Sequence, residues 1–225
     1  MERLTFETDK YYHVYNRGVD KRTIFLKERD YLRFASVIYY FNDENFNPEN
    51  FHYQGLTLIE GKRRRELVDI VAWCLMPNHY HFLLRQKVDG GITKFMRRVG
   101  TGYTMFFNTK YERSGSLFEG PFKARAIDRD DYLLHATRYI HLNPLSLFES
   151  GWKEKGVSDK NGAQEFILQY PWSSLPNFLG KRKFSEIIAL EEFWNIFEGR
   201  SREYRKFLWE WLPIGVQAPF DLIKV

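Results

Sequence analysis

Two apolar runs separated by a short turn constrain the fold of this sequence more than any other feature. The runs cover residues 67–74 and 79–86, and Met76, Pro77 and Asn78 stand between them. Proline fixes φ and asparagine tolerates tight bends, so this tripeptide favours a reversal of the chain. Apolar runs of this length, bounded by turn residues, are typical of strands. The segment therefore predicts a β-hairpin whose two strands are anchored in a core.

The chain on either side of the hairpin alternates between strand and helix patterns up to about residue 150. The order is βα, ββ, α, β, α, which predicts an α+β fold with helices flanking an antiparallel sheet. Asp128 is a candidate N-cap of the last helix, and Pro144 favours a stop near Asn143, because the residue before a proline avoids the α region. The predicted elements outside the hairpin are strands at 11–16 and 117–127 and helices at 28–41, 93–111 and 128–143.

The pattern weakens after residue 145. A polar segment at 156–162 is expected to form a loop, and apolar residues at 184–197 and 201–211 predict helices rich in Phe and Trp. We therefore expect a sheet domain over residues 1–150 and a helical C-terminal extension over residues 151–225.

The composition favours a globular protein with a polyanionic partner. Aromatic residues make up 18% of the chain, enough for a large core, and the formal net charge of +5 favours nucleic acid. Cys74 is the only cysteine, which excludes an internal disulfide and a multi-cysteine zinc site. The N-terminus lacks a signal-peptide pattern, and no apolar run is long enough for a bilayer. We expect a cytoplasmic protein without a membrane partner.

His79 and His81 are the first candidates for a functional site. Side chains two residues apart on a strand leave the same face, so both imidazoles can converge on one divalent ion. His13, on the predicted first strand, could lie beside them, where a structural role is the simpler expectation. The alternative is that His79 and His81 are two surface histidines. Two histidines separated by one residue form a short pattern, which is weak evidence for a metal site by itself.

Tyr139 and Asn143 form a second candidate group on the predicted helix at 128–143. Residues four apart on a helix share a face, and His135 falls on that face as well. Such a line of polar and amphipathic side chains on an otherwise apolar helix exceeds what core packing needs. The alternative is a buried tyrosine with a bonded hydroxyl and an asparagine that caps the helix end.

Together these groups resemble two patterns of a known family. Residues 76–84 resemble the His-hydrophobic-His strand of HUH nucleases, and residues 139–144 resemble the tyrosine helix of REP-associated tyrosine transposases and their insertion-sequence relatives. Shorter matches at 12–18, 113–118 and 170–174 occur in the family's order, and the resemblance covers roughly residues 8–180. Tyr80 stands where the family more usually has a plain aliphatic residue, but its side chain points to the opposite face from the histidines.

The resemblance implies a ferredoxin- or RRM-like HUH nuclease domain over residues 1–150. His79 and His81 match its paired metal ligands, Tyr139 matches its nucleophile, and Asn143 matches its amide-bearing third ligand. The implied cofactor is a divalent ion, Mg²⁺ or Mn²⁺, of which imidazole ligands favour Mn²⁺ somewhat; Zn²⁺ could bind too. The implied activity is metal-dependent nicking and joining of single-stranded DNA through a covalent 5′-phosphotyrosine.

The implied partner is single-stranded DNA that carries a hairpin, bound by a monomer or a homodimer. A set of basic residues is predicted to contact the phosphates of this DNA, and the alternative for each of them is a solvated surface charge with no role in binding. Two other functions stay open: a non-catalytic hairpin DNA- or RNA-binding protein of the same fold, and a metal-dependent hydrolase of small phosphate esters in which Tyr139 has no role. The residues predicted to contact phosphates are Arg63, Arg64, Arg65, Arg97, Arg98, Lys123 and Arg125.

Overall fold

Four antiparallel strands form the central sheet, in the spatial order β2-β3-β1-β4. This arrangement comes from a computed structural model that describes residues 4–47, 64–190 and 201–213. The predicted α+β fold with an antiparallel sheet is confirmed. The strands are β1 (Tyr11–Arg17), β2 (Val68–Met76), β3 (His79–Gln86) and β4 (Lys123–Ile127). The described helices are α1 (Glu28–Tyr40), α2 (Gly91–Lys110), α3 (Asp130–Leu142), α4 (Leu145–Phe148), α5 (Trp152–Lys155), α6 (Lys160–Gln169), α7 (Leu175–Phe178) and α8 (Ser201–Trp209).

The sheet separates two hydrophobic cores, because successive side chains of a strand point to opposite faces. On one face Val14, Tyr80 and Phe82 pack with buried residues of α1 and α2. On the other face Cys74 and Leu83 pack with buried residues of α3 and of the short helices that follow it. The histidine-bearing face of β3 is therefore the one that α3 covers.

The β2–β3 hairpin forms where the Pro-Asn turn predicts it. Met76 pairs with His79 on either side of the turn, and the backbone amides of Ile24 and Phe25 donate to the carbonyl of Pro77 at 2.8 and 3.1 Å. The turn is thus held from outside the hairpin, which fixes the start of β3 and the position of His79.

Two later segments cover the outer edge of β2. The amide of Leu75 donates to the carbonyl of Trp172, and the amide of Ser174 donates to that of Trp73, each at 2.9 Å. Further along the same edge, the amide of Ala189 donates to the carbonyl of Ile70 at 2.9 Å. These bonds use edge groups that would otherwise be open to pairing with another chain.

Three details of the predicted secondary structure are wrong. Asp128 is not an N-cap, because α3 begins at Asp130 after the extended residue Arg129. Residues 160–162 belong to α6 rather than to a loop, because the Asp159 carboxylate accepts the amide of Gly162 at 2.9 Å and caps that helix. The extended run predicted at 117–127 shortens to β4, which begins at Lys123.

The helix predicted at 184–197 is also wrong in its described part. Ser185–Ile187 form a single 3-10 turn, and Ile188 is extended. The edge of β2 offers the carbonyl of Ile70 to Ala189, and that tertiary bond replaces a helical one. Residues 191–197 lie outside the described residues.

Residues beyond 150 share the core beneath α3. Trp152, Ile167, Phe178, Tyr204 and Leu208 are all buried in it. The domain boundary near residue 150 stays a prediction, and the described part of the C-terminal segment packs on the sheet domain. In the described ranges, no helix is both long and apolar enough to cross a membrane.

Candidate functional site

Strand pairing aligns a row of polar side chains on the α3 face of the sheet. His81 pairs with Tyr15 and His79 pairs with Arg17, so these four side chains leave the same face. His13 precedes them on β1 by the same alternation. The two predicted ligands are thus joined by His13, as the sequence allowed, and by Arg17, which the sequence analysis missed.

Helix α3 crosses this row and places Tyr139 against it. The Tyr139 ring packs edge-to-face on His81, with centroids 5.6 Å apart, and on His13, with centroids 6.0 Å apart. Tyr139 has no exposed surface. The structure therefore brings the predicted nucleophile to the predicted histidine pair within one chain.

The end of α3 brings Asn143 to His79. The Asn143 Oδ1 atom lies 3.1 Å from Nε2 of His79, and Nδ1 of His79 lies 2.6 Å from Oδ1 of Asn78. If Nδ1 carries the proton and donates to Asn78, Nε2 presents a lone pair to the amide oxygen of Asn143. Two lone pairs that face each other are stabilised by a cation between them.

His81 is held in a similar way by His13. Its Nδ1 lies 2.9 Å from Nε2 of His13, while its own Nε2 is buried without a hydrogen-bond partner in the described part of the chain. A second group that orients a ligating imidazole through its other nitrogen is typical of metal sites. Nε2 of His81 is thus the atom left for a ligand.

Burial keeps these imidazoles neutral. Burial, with smaller contributions from the charges of Arg125 and Lys153, lowers the pKa of His13 to about 3. Burial also lowers the pKa of His79, to about 4, with further lowering by Lys153 and Arg17 included in that value and opposed by the hydrogen bond to Asn143. The pKa of His81 lies well below its usual value, first because of burial and then because of the neighbouring imidazoles and cations. Neutral imidazole is the form that binds metal ions.

The donor set fits a divalent ion. Adjacent ligands of an octahedral ion with bonds of about 2.1 Å lie about 3 Å apart, which is close to the 3.1 Å between His79 Nε2 and Asn143 Oδ1. No cluster of three His, Cys, Asp or Glu side chains suited to a metal occurs among the described residues. A metal held here would therefore have two imidazoles and one amide as protein ligands.

Lys153, on α5, is a further residue of this site that the sequence analysis missed. Its Nζ donates to the hydroxyl of Tyr139 at 2.9 Å and lies 4.6 Å from the centre of the ring. No sequence spacing links a lysine on a four-residue helix to the tyrosine of α3, so no pattern could have identified it.

Two of the predicted phosphate-binding residues lie on the site's face of the sheet. Lys123 pairs with Tyr15 and Arg125 pairs with His13, and both side chains are exposed on the edge strand β4. With Arg17 they form a group that we call the basic rim (Arg17, Lys123 and Arg125). Arg125 contributes to the lowered pKa of His13, and Arg17 contributes to that of His79.

The other predicted basic residues are not brought to the site. Arg97 and Arg98 belong to α2, across the sheet, and the guanidinium of Arg98 donates to the carbonyl of Asp43 at 2.7 Å. Arg64 donates to the carbonyl of Tyr39 at 2.7 Å, and Arg65 pairs with Glu44 at 3.0 Å. Arg63 lies outside the described residues. Their predicted phosphate contacts stay a prediction.

His135 also turns away from the histidine pair. Its ring stacks on that of Trp211 at 5.4 Å and contacts that of Phe207 at 5.5 Å. Helical spacing places His135 and Tyr139 on one face of α3, but the two rings contact different parts of the molecule. A helix face is wide enough for the Tyr139 ring to contact the sheet and the His135 ring to contact the C-terminal segment.

Comparison with known proteins identifies a solved structure of the same fold and a family to which the sequence belongs. The chain shares its fold with a REP-associated tyrosine transposase solved in complex with a REP hairpin, with a TM-score of 0.52 and 15% identity over 82% of this chain and 88% of that one. Residues 8–143 match the sequence profile of the family described as "Transposase IS200 like". That match spans more than half of the chain, which belongs to the IS200-like transposase family. The comparison with curated protein sequences gave no match.

Proposed function

We propose that this protein is a metal-dependent transposase that nicks and joins single-stranded DNA with Tyr139 as its nucleophile. One observation carries the proposal: Tyr139 of α3 and Asn143, at the end of that helix, meet the half-buried His79 and the buried His81 of β3 in a single group. A strand and a helix that are far apart in the sequence supply these residues. Membership of a transposase family makes DNA strand cleavage the reaction that such a group would serve.

The proposed cleavage is a transesterification at phosphorus. The Tyr139 oxygen forms a bond to phosphorus, and the bond from phosphorus to the 3′ oxygen of the preceding nucleotide breaks. The phenol proton leaves to water, and the departing 3′ oxygen takes up a proton. The products are a 5′-phosphotyrosine and a free 3′-OH, and attack by another 3′-OH on the phosphotyrosine joins strands without external energy.

Nε2 of His79, Nε2 of His81 and Oδ1 of Asn143 would hold the metal ion, which we propose to be Mg²⁺ or Mn²⁺. When bound, a divalent ion supplies positive charge beside the phosphate, and three neutral ligands leave that charge undiminished. Asn78 and His13 hold the two imidazoles in orientation through their other ring nitrogens.

The proposed substrate is single-stranded DNA with a hairpin. The basic rim supports this choice, since it places three cations beside the site on the same face of the sheet. Lys and Arg side chains in such a position contact phosphates and supply affinity without reading the sequence. The structural relative that was solved with a REP hairpin gives the same expectation.

The test is the covalent adduct. Wild-type protein incubated with Mn²⁺ and hairpin-bearing oligonucleotides should give a protein–DNA band that survives a denaturing gel, and EDTA should prevent it. Tyr139→Phe should abolish the band and keep DNA binding, whereas Tyr132→Phe, on the half-exposed side of the same helix, should leave the band unchanged. Persistence of the adduct in Tyr139→Phe would refute the assignment. Binding by the wild type without any adduct would favour the non-catalytic alternative.

A further inference from the structure

Lys153 occupies the position next to the phenolic oxygen of Tyr139. Its ammonium donates to that oxygen at 2.9 Å, so it touches the atom that would attack. We propose that Lys153 is a catalytic residue, a fixed cation that holds the phenolic oxygen and balances the negative charge on it during attack and departure. This inference rests on the function proposed above and adds a residue to its machinery.

The fold fixes where Lys153 stands. Its neighbour Trp152 is buried, and the indole N–H donates to the hydroxyl of Ser146 at 3.1 Å. Gly151 and Gly156 bound the short helix with φ of 80° and 78°, in the left-handed region that favours glycine. A Cβ at position 156 would lie 2.5 Å from the backbone of Pro213. Packing and both turns therefore hold α5, and with it Lys153, against Tyr139.

Lys153 supplies positive charge to the group of side chains around the Tyr139 phenol. The imidazoles of His13 and His81 contact the Tyr139 ring, and the ammonium of Lys153 contacts its oxygen. A buried phenolate surrounded only by neutral groups is costly, and a cation in direct contact offsets that cost.

The ammonium can serve the phenol and the phosphate together. It has three N–H donors, so one can stay on the Tyr139 oxygen while another takes a phosphate oxygen. Tyr139 has no exposed surface, whereas Lys153 is partly exposed, which places the lysine on the solvent side of the pair. A phosphate that arrives from solvent would meet the ammonium on its way to the phenol.

Lys153 keeps its proton throughout the proposed step. In cleavage the Tyr139 oxygen bonds to phosphorus and the phenol proton passes to water, while the bond from phosphorus to the 3′ oxygen breaks and that oxygen takes up a proton from water. In joining, an incoming 3′-OH forms the new bond, loses its proton to water, and the phenolate leaves with Lys153 as its counter-charge. The same cation therefore serves both directions of the reaction.

The experiment compares Lys153→Met and Lys153→Arg with Lys155→Met, an exposed lysine on the same helix. Single-turnover adduct formation is followed at saturating hairpin oligonucleotide with Mn²⁺, and the Kd for the oligonucleotide is measured separately. Lys153→Met should slow adduct formation by about 10²-fold, the usual loss when a donor to a developing negative charge is removed. Its Kd should change far less, Lys153→Arg should recover part of the rate, and Lys155→Met should match the wild type.

A spectroscopic readout tests the contact without catalysis. In protein labelled with ¹³Cζ-tyrosine, Lys153→Met should shift the Tyr139 signal, which Tyr139→Phe identifies by its loss, and Lys155→Met should not. A wild-type rate in Lys153→Met, a loss confined to Kd, or an unmoved Tyr139 signal would overturn the inference alone. Absence of adduct in the wild type would overturn it together with the proposed function.

Discussion

At the scale of single residues, Asp30 joins the two helices of the face opposite the site. It is fully buried, and its carboxylate accepts from the amides of Leu26 and Lys27 at 2.8 and 2.9 Å and from the Tyr111 hydroxyl at 2.7 Å. Lys110, at the end of α2, pairs with its other oxygen. Burial raises the pKa of Asp30, but these hydrogen bonds outweigh burial and leave the pKa below its usual value.

Asp30→Ala should therefore lower the free energy of unfolding by about 3–5 kcal/mol, as expected when one partner of a buried ion pair is removed. Urea denaturation monitored by tryptophan fluorescence measures the loss. Asp131→Ala, which breaks the exposed pair with Arg129, is the matched control and should have little effect. Equal losses in the two variants would mean that burial of Asp30 contributes nothing.

Local periodicity groups the proposed ligands and the proposed nucleophile, and the family resemblance supplies their roles, whereas their neighbours in the site follow from neither. Strand alternation puts His79 and His81 on one face, and helical spacing puts Asn143 one turn after Tyr139; both are properties of a single element. Arg17 joins the site through the register between β1 and β3, which no local pattern states. Lys153 joins it through the packing of a helix too short to have an amphipathic pattern.

At the scale of elements, α3 is held from both sides. Tyr139 packs on the sheet, while the outer side is tied to α8 through a buried hydrogen-bond network. The Tyr204 hydroxyl donates to Thr137 Oγ1 at 3.1 Å and lies 2.6 Å from Nδ1 of His141, whose Nε2 lies 2.8 Å from Ser174 Oγ. The described part of the C-terminal segment thus holds the helix that carries the proposed nucleophile.

Tyr204→Phe should destabilise the protein by about 1–3 kcal/mol, because it removes a hydroxyl from buried polar partners. Well below the unfolding temperature, the Kd for hairpin DNA and the rate of adduct formation should stay at wild-type values. Thermal and urea unfolding give the first measurement, and the adduct assay gives the second. Weaker DNA binding at unchanged stability would instead place α8 in contact with DNA.

One element that sequence patterns missed is decided by a tertiary bond. The segment at 184–190 has apolar residues suited to a helix, yet the open edge of β2 captures Ala189. Asp128 is of a residue type that caps helices, but α3 begins two residues later, at Asp130, so Asp128 is not in the N-cap position. The hairpin was predictable because its turn and its strands are specified by adjacent residues.

At the scale of the whole molecule, the basic rim and the site share one face of the sheet. The basic rim follows β1 and β4, beside the histidine row of β3, while α1 and α2 cover the opposite face. This arrangement gives a DNA strand a cationic approach to Tyr139 and Lys153 from one side. It also means that one chain contains every group that the proposed reaction uses.

A complementation experiment follows from that arrangement. Tyr139→Phe lacks the proposed nucleophile and His79→Ala lacks a proposed ligand, and circular dichroism should show both to be folded. If each site is built within one chain, a mixture of the two variants refolded together should form no more adduct than the separate variants, because every site lacks one group. Wild type refolded with Tyr139→Phe controls for inhibition by mixing and should keep activity in proportion to its own share. Recovery of adduct in the mixture of variants would mean that subunits exchange α3, so that the tyrosine of one chain serves the histidines of another.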